Sequence, residues 1–168
     1  MTTLTNKAVD IAIKYIGQTE KPGNSGFTQI DFERRMEKVG FQKGQAWCAY
    51  FVELVFKEAY PEKSKEFDKL FSASAVKTFV HFKEAAYPIN NVPGLGNLVI
   101  WQTQKEGKPY WTGHAGIVVN VIDQENFESV EGNTSDKNQR EGYIVAKRVR
   151  KVIKGIQNGL QVLGFIEI

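Results

Sequence analysis

Between residues 88 and 96 the chain changes its periodicity, and that change limits the possible folds more than any other feature. Pro88, Asn90, Asn91, Pro93, Gly94 and Gly96 break all helical character there. Ahead of the break, apolar residues recur at helical spacing. Val9, Ala12, Ile13 and Ile16 make one stripe, with Thr5 or Asn6 as its cap and Gly17 as its stop. A loop follows over 21–26. Phe32, Met36 and Val39 make the inner face of a second helix over 28–39, closed by Gly40. Ala49, Val52, Val55, Phe56 and Ala59 make a third, which must end before Pro61. A charged connector covers 62–70. Ser72 or Ser74 caps a further helix to about residue 86, with Val76, Phe79 and Val80 on one face.

Beyond the break the pattern is that of strands: 98–102, then 114–122, 127–131, 143–152 and 162–168. A polar loop is expected over 105–109 and a polar turn over 132–141. In 143–152, Ile144, Ala146, Arg148 and Arg150 oppose Val145, Lys147, Val149 and Lys151. Helices first and closely linked strands second predict an α+β fold, with N-terminal helices packed on a C-terminal antiparallel β-sheet. At 168 residues one domain covering 1–168 is expected.

The balance of 42% hydrophobic and 24% charged residues is that of an ordinary globular protein. A net charge of +3 does not call for nucleic acid. A single cysteine excludes an internal disulfide. The start of the chain lacks the pattern of a Sec signal peptide, and no run approaches the ~18 apolar residues of a membrane span. The expectation is a monomer made in the cytoplasm that binds neither nucleic acid nor membrane.

The sole cysteine, Cys48, falls where the third helix begins. Free N–H groups and the positive end of the helix dipole favour an anion there, which suits a thiolate nucleophile. A small buried apolar side chain is the competing reading. Of two histidines, His81 lies off its helix's apolar stripe and reads as solvent-exposed. His114 opens the apolar strand Ala115-Gly116-Ile117-Val118-Val119, at a sheet rim where a scaffold can present a base. A plain hydrogen-bonded rim histidine is the alternative. The next strand ends in Glu131-Gly132-Asn133. Antiparallel pairing through a turn near 123–126 makes His114 and Glu131 cross-strand neighbours. Either Glu131 or Asn133 then has the chemistry to orient the imidazole.

These segments resemble the CHAP family of cysteine amidohydrolases and peptidases, within the papain-like NlpC/P60 superfamily. Trp47-Cys48-Ala49-Tyr50-Phe51-Val52 is similar to its nucleophile segment. Gly96-Asn97-Leu98-Val99-Ile100-Trp101 is similar to a G-D-[IL]-V-x-[FW] strand, with Asn97 in place of the usual aspartate. Gly113-His114-Ala115-Gly116-Ile117-Val118, Glu131-Gly132-Asn133-Thr134-Ser135 and Gly164-Phe165-Ile166 match further words, in family order. The resemblance implies a papain-like fold, Cys48 as nucleophile, His114 as base, Glu131 as its orienting residue, and Asn133 as a further polar member of the site. It implies peptidoglycan as the substrate, cleaved as an N-acetylmuramoyl-L-alanine amidase or an endopeptidase would cleave it. A phage endolysin is the expected setting, and an injected or exported wall-degrading enzyme the alternative. A non-catalytic wall-binding module and an acyltransferase are the readings of other classes. No acidic calcium-binding loop precedes Cys48, so neither metal nor cofactor is expected.

The Cys48 N–H is the expected oxyanion donor, with the Gln45 side chain as a second. Trp47, Tyr110 and Trp111 are candidates for stacking on substrate, although core packing explains Trp47 equally well. Lys147, Arg148, Arg150, Lys151 and Lys154 make the C-terminal region basic, by default a solvated face and alternatively a patch for anionic wall polymers.

Overall fold

The computed structural model describes residues 6–135, 142–153 and 155–168. The fold is α+β. Helices α1 (Lys7–Lys14), α2 (Ile30–Lys38), α3 (Cys48–Ala59), α4 (Ser64–Leu70) and α5 (Ala75–Glu84) precede strands β1 (Ile89–Asn90), β2 (Leu98–Lys105), β3 (Lys108–Val121), β4 (Asn126–Thr134), β5 (Ile144–Lys151) and β6 (Leu160–Ile166). The strands form one antiparallel sheet in the order β1-β6-β2-β3-β4-β5. Of the two caps proposed for α1, Asn6 acts, accepting from the N–H groups of Ala8 and Val9. Thr5 lies outside the described residues, as do Lys154 and the 136–141 portion of the expected turn.

Helix α3 is the centre of the helical layer. Ten of its twelve residues are buried, including Ala49, Val52, Val55, Phe56 and Ala59. A helix apolar nearly all round must be enclosed. Here α1, α2, α4 and α5 pack around it, and it lies on β3 and β4. Phe27, Phe32 and Phe41 surround the Trp47 end, while Phe67, Phe71 and Phe82 surround Phe56. A fully buried phenylalanine contributes roughly 1.5–3 kcal/mol, so this aromatic layer fixes where α3 can sit.

Two helical faces are rotated from expectation. In α1 the buried residues are Ala8, Val9 and Ala12, with Tyr15 after it, while Ile13 and Ile16 are exposed. In α5, Ala75, Thr78 and Phe82 face inward and Val80 is exposed. That rotation leaves His81 half-buried, with Nδ1 3.2 Å from the Leu70 carbonyl oxygen. Small residues permit closer helix–sheet approach than the bulkier stripes did, so local periodicity chose the wrong edge of the face.

The β2–β3 hairpin is longer than predicted. Pairing continues out to Lys105↔Lys108 around a two-residue turn at Glu106–Gly107, both with positive φ. A ribbon projecting past the core needs no apolar alternation, so its polar sequence read as a loop. The sheet is also strongly curled. Phe127 on β4 and Phe165 on β6 have ring centroids 5.2 Å apart, with β2 and β3 between them. In a flat sheet three strand steps would separate them by roughly 14 Å. The concave face, opposite the helices, therefore holds a second core of Val99, Trp101, Val118, Phe127 and Phe165.

Candidate active site

The site lies where α3 meets the sheet. The β3–β4 ladder runs from Val121↔Phe127 to Ile117↔Val130. Past that pair the first turn of α3 takes up the strand-end groups. The Ala115 N–H favours the ionised form of the Cys48 thiol, and the Trp47 N–H donates to the Asn133 amide oxygen at 3.3 Å. Gly132 makes this approach possible, because a Cβ there would lie 2.6 Å from Phe51 Cβ and 2.7 Å from the Trp47 ring.

Cys48 is buried at the first position of α3, with no side-chain cap on the helix. Burial pushes its thiol up. The His114 imidazole hydrogen-bonded to it, together with the N–H groups of Ala115 and Ala49, outweighs burial and holds the thiol below its ordinary range. His114 Nε2 lies 2.8 Å from Glu131 Oε2, which leaves the other ring nitrogen for Cys48. Burial alone would lower the imidazole. Its bonds to Cys48 and Glu131 win, and its pKa is pushed up to about 9. The two shifts run in the direction that favours a thiolate beside an imidazolium.

Glu131 has no solvent exposure. It reaches His114 across Gly116, where a Cβ would lie 2.8 Å from Glu131 Cγ. Its oxygens accept from Ser129 Oγ (2.6 Å), Arg150 Nε (2.7 Å) and Arg150 Nη2 (2.5 Å) besides His114. Burial would raise this carboxyl. The Arg150 fork and the His114 charge overcome burial and hold it far below the usual carboxylate range. The Trp101 ring lies against both cations, 5.7 Å from the imidazole centroid and 5.2 Å from Arg150 Cζ.

Sequence reasoning missed Arg150 and Ser129. The alternation placing Arg148 and Arg150 on one side of the strand after Glu131 was the available signal. The lysines Lys147 and Lys151 do lie on a solvated face, but Arg150 is tied to Glu131 and Arg148 Nη1 donates to the Ser135 carbonyl. Only Lys147, Val149 and Lys151 of β5 are exposed.

The remaining candidates separate. Asn133 has φ 52° and bonds backbone on both sides, its amide nitrogen donating to the Gly142 carbonyl at 2.8 Å, so it links β4 to the nucleophile turn. Gln45 Oε1 accepts from the Gln42 N–H (3.1 Å) and the Tyr50 hydroxyl (2.9 Å), bracing the same turn. Trp47 is fully buried among Phe27 and Phe32, with its indole N–H on Glu20, so it has no face to offer a substrate. Tyr110 and Trp111 lie on the projecting hairpin. A bulge interrupts the strand alternation there, and the two rings lie together, with centroids 5.7 Å apart, Tyr110 under the Lys105 ammonium and Trp111 70% exposed. Asn97 accepts from the Gly94 N–H and shapes the turn into β2. Among the described residues no group of three or more His, Cys, Asp or Glu is placed to hold a metal ion, and no helix is long and apolar enough to cross a membrane.

The sequence model of the CHAP domain matches residues 40–133, more than half of the chain, from the nucleophile turn to Asn133 in β4. No curated protein and no solved structure matches.

Proposed function

The chain belongs to the CHAP domain family, whose members are peptidoglycan hydrolases of amidase or peptidase type, and on that premise we propose that it cleaves an amide bond of peptidoglycan through a Cys48 thioester. The observation that carries this reading is the buried set in which His114 stands beside the Cys48 thiol, holding it below its ordinary range, with its Nε2 2.8 Å from Glu131 Oε2.

The thiolate attacks the amide carbonyl. The developing oxyanion meets the Cys48 backbone N–H at the uncapped start of α3. The imidazolium gives its proton to the leaving amine, and the C–N bond breaks to leave the thioester. Neutral His114 then takes a proton from water as that water attacks, and the acid product leaves with the thiolate restored. Glu131 stays ionised throughout, holding the Nε2–H and stabilising the charged ring. Tyr110 and Trp111, whose rings lie together on the projecting hairpin, are the aromatics offered to substrate. The site of action is the cell wall.

The test is mass spectrometry of purified peptidoglycan digested by wild type and by Cys48→Ala. Wild type should release fragments with new amino termini or free stem peptides, which name the bond, and Cys48→Ala should release none. Identical fragment patterns from the two would overturn the proposal.

A further inference from the structure

Four ionisable groups are enclosed together at the site, from four different elements: Cys48 of α3, His114 of β3, Glu131 of β4 and Arg150 of β5. The Glu131 side chain has no exposure, while those of His114 and Arg150 are 13% and 14% exposed. In the working state their charges are −1, +1, −1 and +1, which sum to zero. A thiolate, an imidazolium and a carboxylate without the arginine would leave a net negative charge in a buried site. Unpaired charge there is costly enough that a group takes up a proton instead.

The geometry of Arg150 is specific to this task. Its Nε and Nη2 bind the two carboxylate oxygens separately, at 2.7 and 2.5 Å, a bidentate fork that a lysine does not reproduce. The fork fixes the plane of the carboxylate so that Oε2 faces His114 Nε2 at 2.8 Å. Trp101 on β2 packs against the guanidinium, and Ser129 supplies the remaining donor. The other nearby cation on the same face, Arg148, is bonded to the Ser135 carbonyl.

We propose that Arg150 is a positioning residue of the active site: it supplies the charge that balances Glu131 and orients the carboxylate against His114, and so allows Cys48 to be a thiolate beside an imidazolium. This rests on the Cys48–His114–Glu131 reading above.

The experiment is the rate of Cys48 alkylation by iodoacetamide against pH, on the full chain, for wild type, Arg150→Lys and Arg150→Met. It needs no substrate. Wild type should react with a midpoint well below the ordinary thiol value of about 8.5. In Arg150→Met the midpoint should rise by about one pH unit or more, a roughly tenfold slower reaction at a fixed pH below it. Arg150→Lys keeps the charge without the fork and should rise by less. A merely structural arginine would change the melting temperature and leave the midpoint of the folded fraction in place. If folded Arg150→Met keeps the wild-type midpoint, the inference is overturned. Should that variant fail to fold, an unchanged midpoint in Arg150→Lys overturns it equally. A wild-type midpoint near the ordinary thiol value would instead sink the nucleophile reading itself, so the two failures are distinct.

Discussion

Two buried carboxylates flank the start of α3, and the protein handles them in opposite ways. Glu131 accepts from His114, Ser129 and twice from Arg150, and it is held ionised. Among the described residues Glu20 accepts only from the Trp47 indole N–H, at 3.0 Å, and its other oxygen is buried with no hydrogen-bond partner. Burial dominates there and pushes Glu20 up, with the Trp47 bond only partly opposing it. A carboxylate becomes a fixed charge when donors surround it, and becomes a reluctant acid when apolar rings do. The first situation suits the relay behind Cys48. The second anchors Trp47 within the aromatic core.

The largest effect should come from Glu131→Ala. It leaves Arg150 buried without its partner, which costs about 3–5 kcal/mol, and it removes the group that orients His114, which costs about a thousandfold or more in rate. Urea unfolding and fragment release from peptidoglycan read the two separately. A small effect on both would dissolve the contrast with Glu20.

Gly132 is where the two regions touch, since it faces Trp47 and Phe51. Gly132→Ala should destabilise by about 1–3 kcal/mol through overpacking and should also slow alkylation of Cys48, because the helix start must move. Loss of stability with an unchanged alkylation profile would show that the turn is less tightly coupled to the wall behind it.

The charge balance also sets a pH limit. Acylation needs protonated His114, so activity should fall as pH rises past about 9. The same group adds stability that is fully present below its unfolded value of about 6.5 and is lost as pH rises through about 9. Rate and melting temperature measured from pH 6 to 10 check both. An activity that keeps climbing above pH 9 would contradict the assigned role.

The smallest effect is expected at Glu20. Its folded pKa is raised, so its contribution is present below the ordinary carboxylate range and is lost as pH rises through the folded value. Glu20→Gln keeps an acceptor for Trp47 and removes the charge that burial disfavours. It should be neutral or stabilising by up to about 1 kcal/mol at pH 7, whereas Glu131→Gln should destabilise. Thermal melts at pH 5 and 8 decide it, and destabilisation by Glu20→Gln would show that the two carboxylates are alike.

By itself the sequence determined the order of elements, the α+β class, the helix start at Cys48 and the pairing that brings His114 beside Glu131. Those follow from local periodicity, from helix-breaking residues and from a short hairpin connection, all of which act over a few residues. Tertiary structure decided the rest. The rotation of α1 and α5, which buried Ala8 and Ala75 in place of Ile13 and Val80, depended on how closely each helix could approach its neighbours. The enclosure of Trp47 depended on Phe27 and Phe32, which are distant in sequence. Arg150 looked like one more surface charge on an edge strand, because nothing local distinguishes a guanidinium facing water from one facing a carboxylate. The β4–β5 register, which sets Arg150 opposite Phe127 on the face that carries Glu131, and the curl that brings Trp101 against its guanidinium together place that charge behind Glu131 and complete the site that begins at Cys48.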